Sequence, residues 1–254
     1  MLYIKKKAPP QSYQKAVAEI KSSSIWRSIQ DGDTIAIRGQ FDLLPKSEIR
    51  DTLLAEQHYL CAYCMKRIRN NEDGTKIIHM TIEHWFPLSQ DKERALDYKN
   101  FLGVCKGGAD VAGPRSRILC CDASKGDATN ITVNPLDKAM MQHIAYTKDG
   151  TIYCLPTADP KIAEAINDDL KKVLRLNGND TGQDTATGLV KGRRDAYKQA
   201  QNIYKDLAAR GRLTSVQISK KIRELKQLDE YPEFAGTILF FLERKRKALI
   251  NQGK

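Results

Sequence analysis

The chain has 254 residues, a formal net charge of +11 and a sequence pI of about 9.3. That length can bury a core as one large domain or two modest ones without disulfide staples, and no run approaches the roughly eighteen apolar residues of a membrane span. The positive excess disfavours a basic partner and points first to nucleic acid, because clustered Lys and Arg gain free energy by releasing counterions from phosphates.

The first ten residues read as extended and end on Pro9 and Pro10. Lys5 to Lys7 are followed by Ala8 and two prolines rather than an apolar segment, which is not the pattern of a signal peptide. Tyr13, Val17 and Ile20 fall at helical intervals, Ser22 to Ser24 interrupt, and a short amphipathic piece surrounds Trp26. Gly32 and Asp33 mark a turn, and Pro45 to Ser47 open a helix running through Ile49, Leu53 and Leu54 to Leu60, which delivers the chain to Cys61.

Asn71 to Gly74 make a turn, and the run KIIHMTIE from Lys76 to Glu83 reads as a hairpin strand. Alternation puts His79, Thr81 and Glu83 on one face and Ile78, Met80, Ile82 and His84 on the other, with a change of pleat near Pro87 able to re-aim the last pair. Leu96 to Val104 reads as a helix carrying Asn100. A Gly-rich loop with Arg115 and Arg117 precedes Leu119 to Asp127, and a helix from Asp137 to His143 leads to a hairpin turning at Asp149 and Gly150. After Pro160 the pattern is helical over Lys161 to Leu176, Arg193 to Arg210, Ser215 to Leu228 and Phe234 to Ile250. This part holds roughly twenty Lys and Arg against about a dozen Asp and Glu, most of the excess charge.

The chemistry-bearing stretch lies between Leu60 and Asp127. Cys61 and Cys64 have the CxxC spacing in which one tight turn offers two thiolates to a tetrahedral Zn²⁺; Cys105 and Cys121 can complete it, with Cys120 competing for the fourth position. The alternative is a set of buried reduced thiols packed as small hydrophobes, as the cytoplasm expected for this chain would keep them. A thioredoxin-like redox motif is disfavoured, because this CxxC lacks a βαβ context. Glu83 beside His84 pairs a carboxylate with a group that accepts a proton near neutral pH. Asp122 suits either a Mg²⁺ site with oxygen ligands or a helix N-cap. Asn100 can hold the loop that carries His84 or be an ordinary polar residue.

The order CAYC, IEHWFPL, LDYKNFLGVC, CCDASKGD and NPLD, covering roughly Ile49 to Asp137, resembles HNH (ββα-metal) endonucleases of the four-cysteine kind. More narrowly, it is similar to the HNH component of bacterial Septu antiphage systems, the PtuB family, including its retron-associated members. The resemblance implies a zinc-stapled ββα-metal nuclease core (49–158); with the N-terminal helical lead-in (1–48) and the basic α-helical domain (159–254) read from periodicity and charge, the expected fold is α+β. It also implies His84 as general base, Asn100 as positioning residue, Glu83 and Asp122 as ligands of a catalytic Mg²⁺ or Mn²⁺, and Cys61, Cys64, Cys105 and Cys121 as ligands of structural Zn²⁺. The implied activity is phosphodiester hydrolysis in DNA or RNA, alongside an ATPase partner of the PtuA type and, in retron-type systems, a reverse transcriptase with its DNA–RNA product. A zinc-stabilised binding or scaffold subunit with an inactive site is the alternative.

Lys125, Arg115 and Arg117 near the second cysteine group, and Lys191, Arg193 and Arg194 on the later helices, are the candidate phosphate contacts. For the later helices, including Arg244 to Lys247, substrate, partner and plain solvated face are equal alternatives. Trp85 and Phe86 suit base stacking less well than a small core. His79, on the face of Glu83, is placed to touch substrate or metal but reads first as a packed or solvent-facing strand histidine, and His58 and His143 read as structural.

Overall fold

Residues 1–10 run extended along the body of the protein before any helix begins, pinned by Ile4 N–H to the Pro135 carbonyl at 2.9 Å and by Lys6 Nζ to Glu56 at 2.8 Å. The computed structural model describes residues 1–70, 80–111, 113, 117–126, 129–157 and 159–253. The expected strand residues before Met80, His79 among them, and Arg115 on the Gly-rich loop lie outside the described residues.

Four helices form the lead-in: α1 (Gln11–Ser22), α2 (Ser24–Ser28), α3 (Thr34–Asp42) and α4 (Lys46–Glu56). Helix α3 has no counterpart among the elements expected from sequence, since its β-branched Thr34, Ile35 and Ile37 mask the helical period. The helix forms because Asp33 caps it, accepting from Ala36 N–H at 3.1 Å, and because Ile37 and Phe41, one turn apart, both bury. These helices pack Tyr13, Trp26, Ile37, Phe41 and Leu53 against Leu96, Tyr98 and Phe101, a hydrophobic cluster of their own.

Strands β1 (Met80–His84) and β2 (Phe101–Cys105) pair antiparallel, with Glu83 opposite Leu102 and His84 opposite Phe101. This corrects the helix expected over Leu96 to Val104: only Tyr98–Asn100 makes a helical turn, and the chain then extends. A strand needs a partner that is remote in sequence, so local periodicity does not reveal it. Gln57 fixes β2 from the side, its amide bonding Gly103 N–H and C=O, each at 2.7 Å, while also donating to Leu60 O at 2.8 Å. A side chain at Gly103 would crowd that amide and the Met80 side chain, at 3.2 and 3.1 Å from a Cβ.

The one-turn helix α5 (Lys92–Ala95) lies between the two strands in sequence, and two more single turns, α6 (Asp122–Lys125) and α7 (Lys138–Met141), come after β2. The hairpin β3 (Ile144–Tyr146) and β4 (Ile152–Cys154) follows as expected. The helix expected over Lys161 to Leu176 is α8 (Pro160–Asp168), continued by a π-helical turn over Asp169–Val173 that turns the Asp169 carboxylate onto Val133 N–H at 2.8 Å. Helices α9 (Leu189–Ala209), α10 (Ser215–Lys226) and α11 (Ala235–Asn251) complete the C-terminal helical region.

Over the described residues the protein is thus mixed α+β, with two small two-stranded sheets and helices on either side. One hydrophobic cluster runs from Met1 through Cys61, Leu102 and Tyr146 to Leu242 and Leu249, so the C-terminal helices share a core with the cysteine-bearing segment. Among the described residues no helix is long and apolar enough to cross a membrane.

Candidate functional site

The turn after α4 brings Cys61 and Cys64 into register with the end of β2 and the start of α6. The ligand atoms of Cys61, Cys64, Cys105 and Cys121 all lie within 4.8 Å of one another. Such a cluster of sulfurs from three separate stretches could hold a metal ion such as zinc. Cys121 is buried with φ of +55° and its N–H bonded to Leu174 O at 2.9 Å, a backbone kink that turns its sulfur into the cluster. Cys120 is not one of these four: its sulfur borders those of Cys105 and Cys121 and also meets Gly107 O (3.6 Å) and Thr187 Oγ1 (3.7 Å). The fourth cysteine of the group is therefore Cys121.

A polar cavity of about 280 Å³ opens at the end of β1, and Glu83, His84 and Asp122 all line it. Glu83 is buried, accepting from Lys125 Nζ at 2.6 Å and from the Tyr63 hydroxyl at 3.2 Å. Burial, reinforced by the negative charge of Asp122, pushes its carboxyl up to about 8, with Lys125 opposing. Asp122, at the first turn of α6, reaches Thr81 Oγ1 at 3.5 Å. The N-cap position of this single-turn helix is Cys121, so Asp122 is not its cap residue, and its carboxylate sits beside that of Glu83 at the cavity.

His84 packs edge-on against Phe41 and Phe101 and bonds through Nε2 to Ala95 O at 3.0 Å. A carbonyl accepts only, so Nε2 carries the proton and Nδ1 is the basic nitrogen. Burial lowers the imidazole to about 4, with the cations Lys46, Arg38 and Lys125 adding to the effect. Because the unfolded imidazole titrates at the ordinary 6.5, the unfolded chain takes up a proton between pH 6.5 and 4 that native His84 refuses. Stability is fully present above 6.5 and is lost through that window, by about 3 kcal/mol. Urea unfolding at pH 7 and pH 5 should show a smaller loss in His84→Gln than in the parent; equal losses would remove His84 as the source.

Asn100 is buried in the turn before β2 and faces the chain leaving β1. Its Oδ1 accepts from Phe86 N–H at 2.7 Å, and its Nδ2 donates to Phe86 O at 2.9 Å and Arg94 O at 3.0 Å. These bonds clamp the segment just after His84. Asn100→Ala strands three backbone groups in a partly buried site, costing about 3 kcal/mol, which corresponds to a melting temperature lower by roughly 6–12 °C. A thermal melt within a degree of the parent would show that the clamp is dispensable.

The expected phosphate contacts distribute unevenly. Lys125 is not on a surface: it is buried, donating to Glu83 and to His84 O at 3.1 Å inside the cavity. Arg193 is corrected outright, being 1% exposed with its guanidinium on Gly150 O and Leu176 O, each at 2.6 Å, where no phosphate can reach it. Helix α9 turns this side chain inward to close the carbonyls of the hairpin and the turn after the π-helical segment. Lys191 and Arg194 are exposed on α9 but do not line the cavity, and Lys191 pairs with Asp195 at 2.9 Å. Arg117 folds over its own loop, bonding Gly108 O and Gly113 O.

Trp85 donates to Val133 O at 2.9 Å, while Phe86 lies under the Arg94 guanidinium, so both rings are engaged within the fold. His58 stacks on Tyr231, and His143 meets Pro156 O. Three cavity-lining cations, Arg38, Lys46 and Arg50, are absent from the residues singled out by sequence. They belong to α3 and α4, and only the packing of the lead-in against β1 carries them to Glu83 and His84; with Asp42 and Glu48 interspersed, residues 38–50 give no charge signal along the chain. No protein-family model and no curated protein matches the chain, and the reading of this cavity rests on its own geometry.

Proposed function

We propose that this protein is a divalent-metal-dependent endonuclease of the HNH (ββα-metal) kind, hydrolysing phosphodiester bonds in DNA or RNA. In this reading β1, β2 and α6 are the catalytic motif and the four-cysteine cluster is its zinc staple. The observation that carries the reading is the convergence of Glu83 and His84 from β1 and Asp122 from α6 on one polar cavity.

The residues fit a hard divalent cation. Two carboxylates lie close enough that one raises the pKa of the other, an arrangement that a cation with oxygen ligands relieves. Glu83 and Asp122 would hold Mg²⁺ or Mn²⁺, which when bound neutralises charge growing on the phosphate and leaving oxygen. The chain's own groups supply the rest. His84 Nδ1 accepts the proton of the attacking water, its tautomer set by the bond from Nε2–H to Ala95 O. Asn100 keeps the segment after the imidazole in place, and the aromatic walls of Phe41 and Phe101 fix its ring orientation. Tyr63 and Lys125 hold the Glu83 carboxylate.

With this goes the Septu-type setting: a PtuB-like nuclease acting beside an ATPase partner, and in a retron-type system beside a reverse transcriptase and its DNA–RNA product. One observation favours a second reading. The Lys125 ammonium already neutralises Glu83 at 2.6 Å, as it would in a catalytically silent zinc-stabilised scaffold. Incubating plasmid DNA and a long RNA with the purified protein, with and without its ATPase partner, in Mg²⁺ or Mn²⁺ separates the two. Cleavage that needs the ion and is lost in His84→Ala supports the nuclease; no product from either nucleic acid under any of these conditions leaves the scaffold.

A further inference from the structure

The cavity that holds Glu83, His84 and Asp122 has a second wall, built from the lead-in and unlike the first in charge. Arg38 from α3 and Lys46 and Arg50 from α4 line it, with Asp42 as the carboxylate on that side. Opposite, Lys125 is matched to Glu83 at 2.6 Å. On the lead-in side Arg38 and Arg50 have partners of their own, whereas Lys46 is paired loosely: Asp42 lies 3.6 Å from its Nζ, beyond hydrogen-bond length, and is itself largely exposed.

Lys46 Nζ is buried and makes no hydrogen bond to the described residues. An ammonium has three donors; burial pushes this one down to about 7, and the Asp42 carboxylate at 3.6 Å answers it only in part, so donor capacity is left for an anion entering the cavity. Its position is informative. Lys46 and Arg38 are close enough to His84 to act on its imidazole, and Lys46 also sits over the Phe41 ring that packs against His84. An anion held by these cations therefore lies beside the proposed base. Guanidinium and ammonium groups around a polar hollow of this size suit phosphate oxygens, Arg as a planar fork and Lys as a point charge.

We propose that Arg38, Lys46 and Arg50 form a phosphate-binding subsite that seats the nucleic-acid backbone next to His84. The lead-in is then a substrate-binding element and not only a support for β1. The identity of the substrate rests on the nuclease reading; the binding of a phosphate backbone here does not require cleavage.

The test uses the full chain carrying His84→Ala, so that no turnover intervenes, and measures fluorescence anisotropy of a labelled DNA duplex and of an RNA of matching sequence over a range of salt concentrations. Against this background Arg38→Gln and Lys46→Met are added singly and together. Arg38 is exposed and its replacement leaves the core intact; melting curves verify each variant, and Lys46→Arg should restore binding lost in Lys46→Met. The expected result is at least a fivefold weaker Kd for each single change. The slope of log K against log salt should also fall in magnitude by nearly one for each phosphate that is no longer neutralised, a change that a merely structural role does not produce. Folded variants binding with the parent's Kd and salt slope overturn the subsite, as does an absence of measurable binding by the His84→Ala chain. If binding behaves as expected while the unmodified protein cleaves nothing, the subsite stands and the nuclease reading falls.

Discussion

Cys121→Ser is expected to abolish zinc binding at the four-cysteine cluster, from one ion per chain to none by elemental analysis, and to lower the melting temperature of the zinc-loaded protein by more than about 10 °C. Structural zinc contributes apparent free energies of about 10–16 kcal/mol in domains that cannot fold without it. Here a large apolar core exists independently, so a loss of about 5 kcal/mol is the realistic share, and in a chain of this size each kcal/mol shifts melting by about 2–4 °C. The effect is large because Cys61, Cys64, Cys105 and Cys121 tie the turn after α4, the end of β2 and the entry to α6 at one point. Without the ion, four sulfurs within 4.8 Å lose their common partner, and Cys121 keeps a left-handed backbone conformation that no longer brings a ligand to it. Cys120→Ser provides the control: its sulfur contacts Gly107 O and Thr187, and this variant should keep its zinc. Equal zinc content and equal melting in Cys121→Ser and Cys120→Ser would break the assignment of the cluster as a metal site.

The second large effect is on activity. His84→Ala is expected to lower metal-dependent cleavage by about 10²- to 10⁴-fold, the range general-base removal produces, with zinc content unchanged. The imidazole is held in one tautomer by Ala95 O and in one orientation by Phe41 and Phe101, so Nδ1 is an acceptor fixed in place. Burial and neighbouring cations keep it neutral far below physiological pH, which leaves Nδ1 unprotonated while making it a weaker base than an ordinary imidazole. Truncation also opens space beside two aromatic rings and costs some stability, so rates are compared well below the melting temperature of both proteins. Cleavage within threefold of the parent would take His84 out of the chemistry.

Much of the site can be read along the chain because its parts are locally encoded. CxxC in a tight turn and Glu–His at a strand end advertise themselves by spacing, and Asp122 stands immediately after a cysteine. Asn100 is legible as a residue yet reads as part of a helix, since a strand is defined by its remote partner. The second wall of the cavity is invisible in the sequence: Arg38, Lys46 and Arg50 follow no motif, and their relevance depends on how α3 and α4 pack on β1. Arg193 shows the converse error, a basic residue on a helical face that composition assigns to solvent and packing turns inward to satisfy carbonyls.

By itself the sequence determined the mixed α+β character, the helical C-terminal region, the β3–β4 hairpin and which cysteines pair by spacing. These follow from short-range terms: hydrophobic period, turn residues and chain stiffness over a few positions. The tertiary structure alone decided that Cys121 and not Cys120 joins the cluster, that Lys125 is buried on Glu83, and that the lead-in places its cations beside His84. Those outcomes depend on distances between segments far apart along the chain. Such distances are set by which apolar surfaces bury against each other and which buried polar groups then find a partner, and no local pattern contains them.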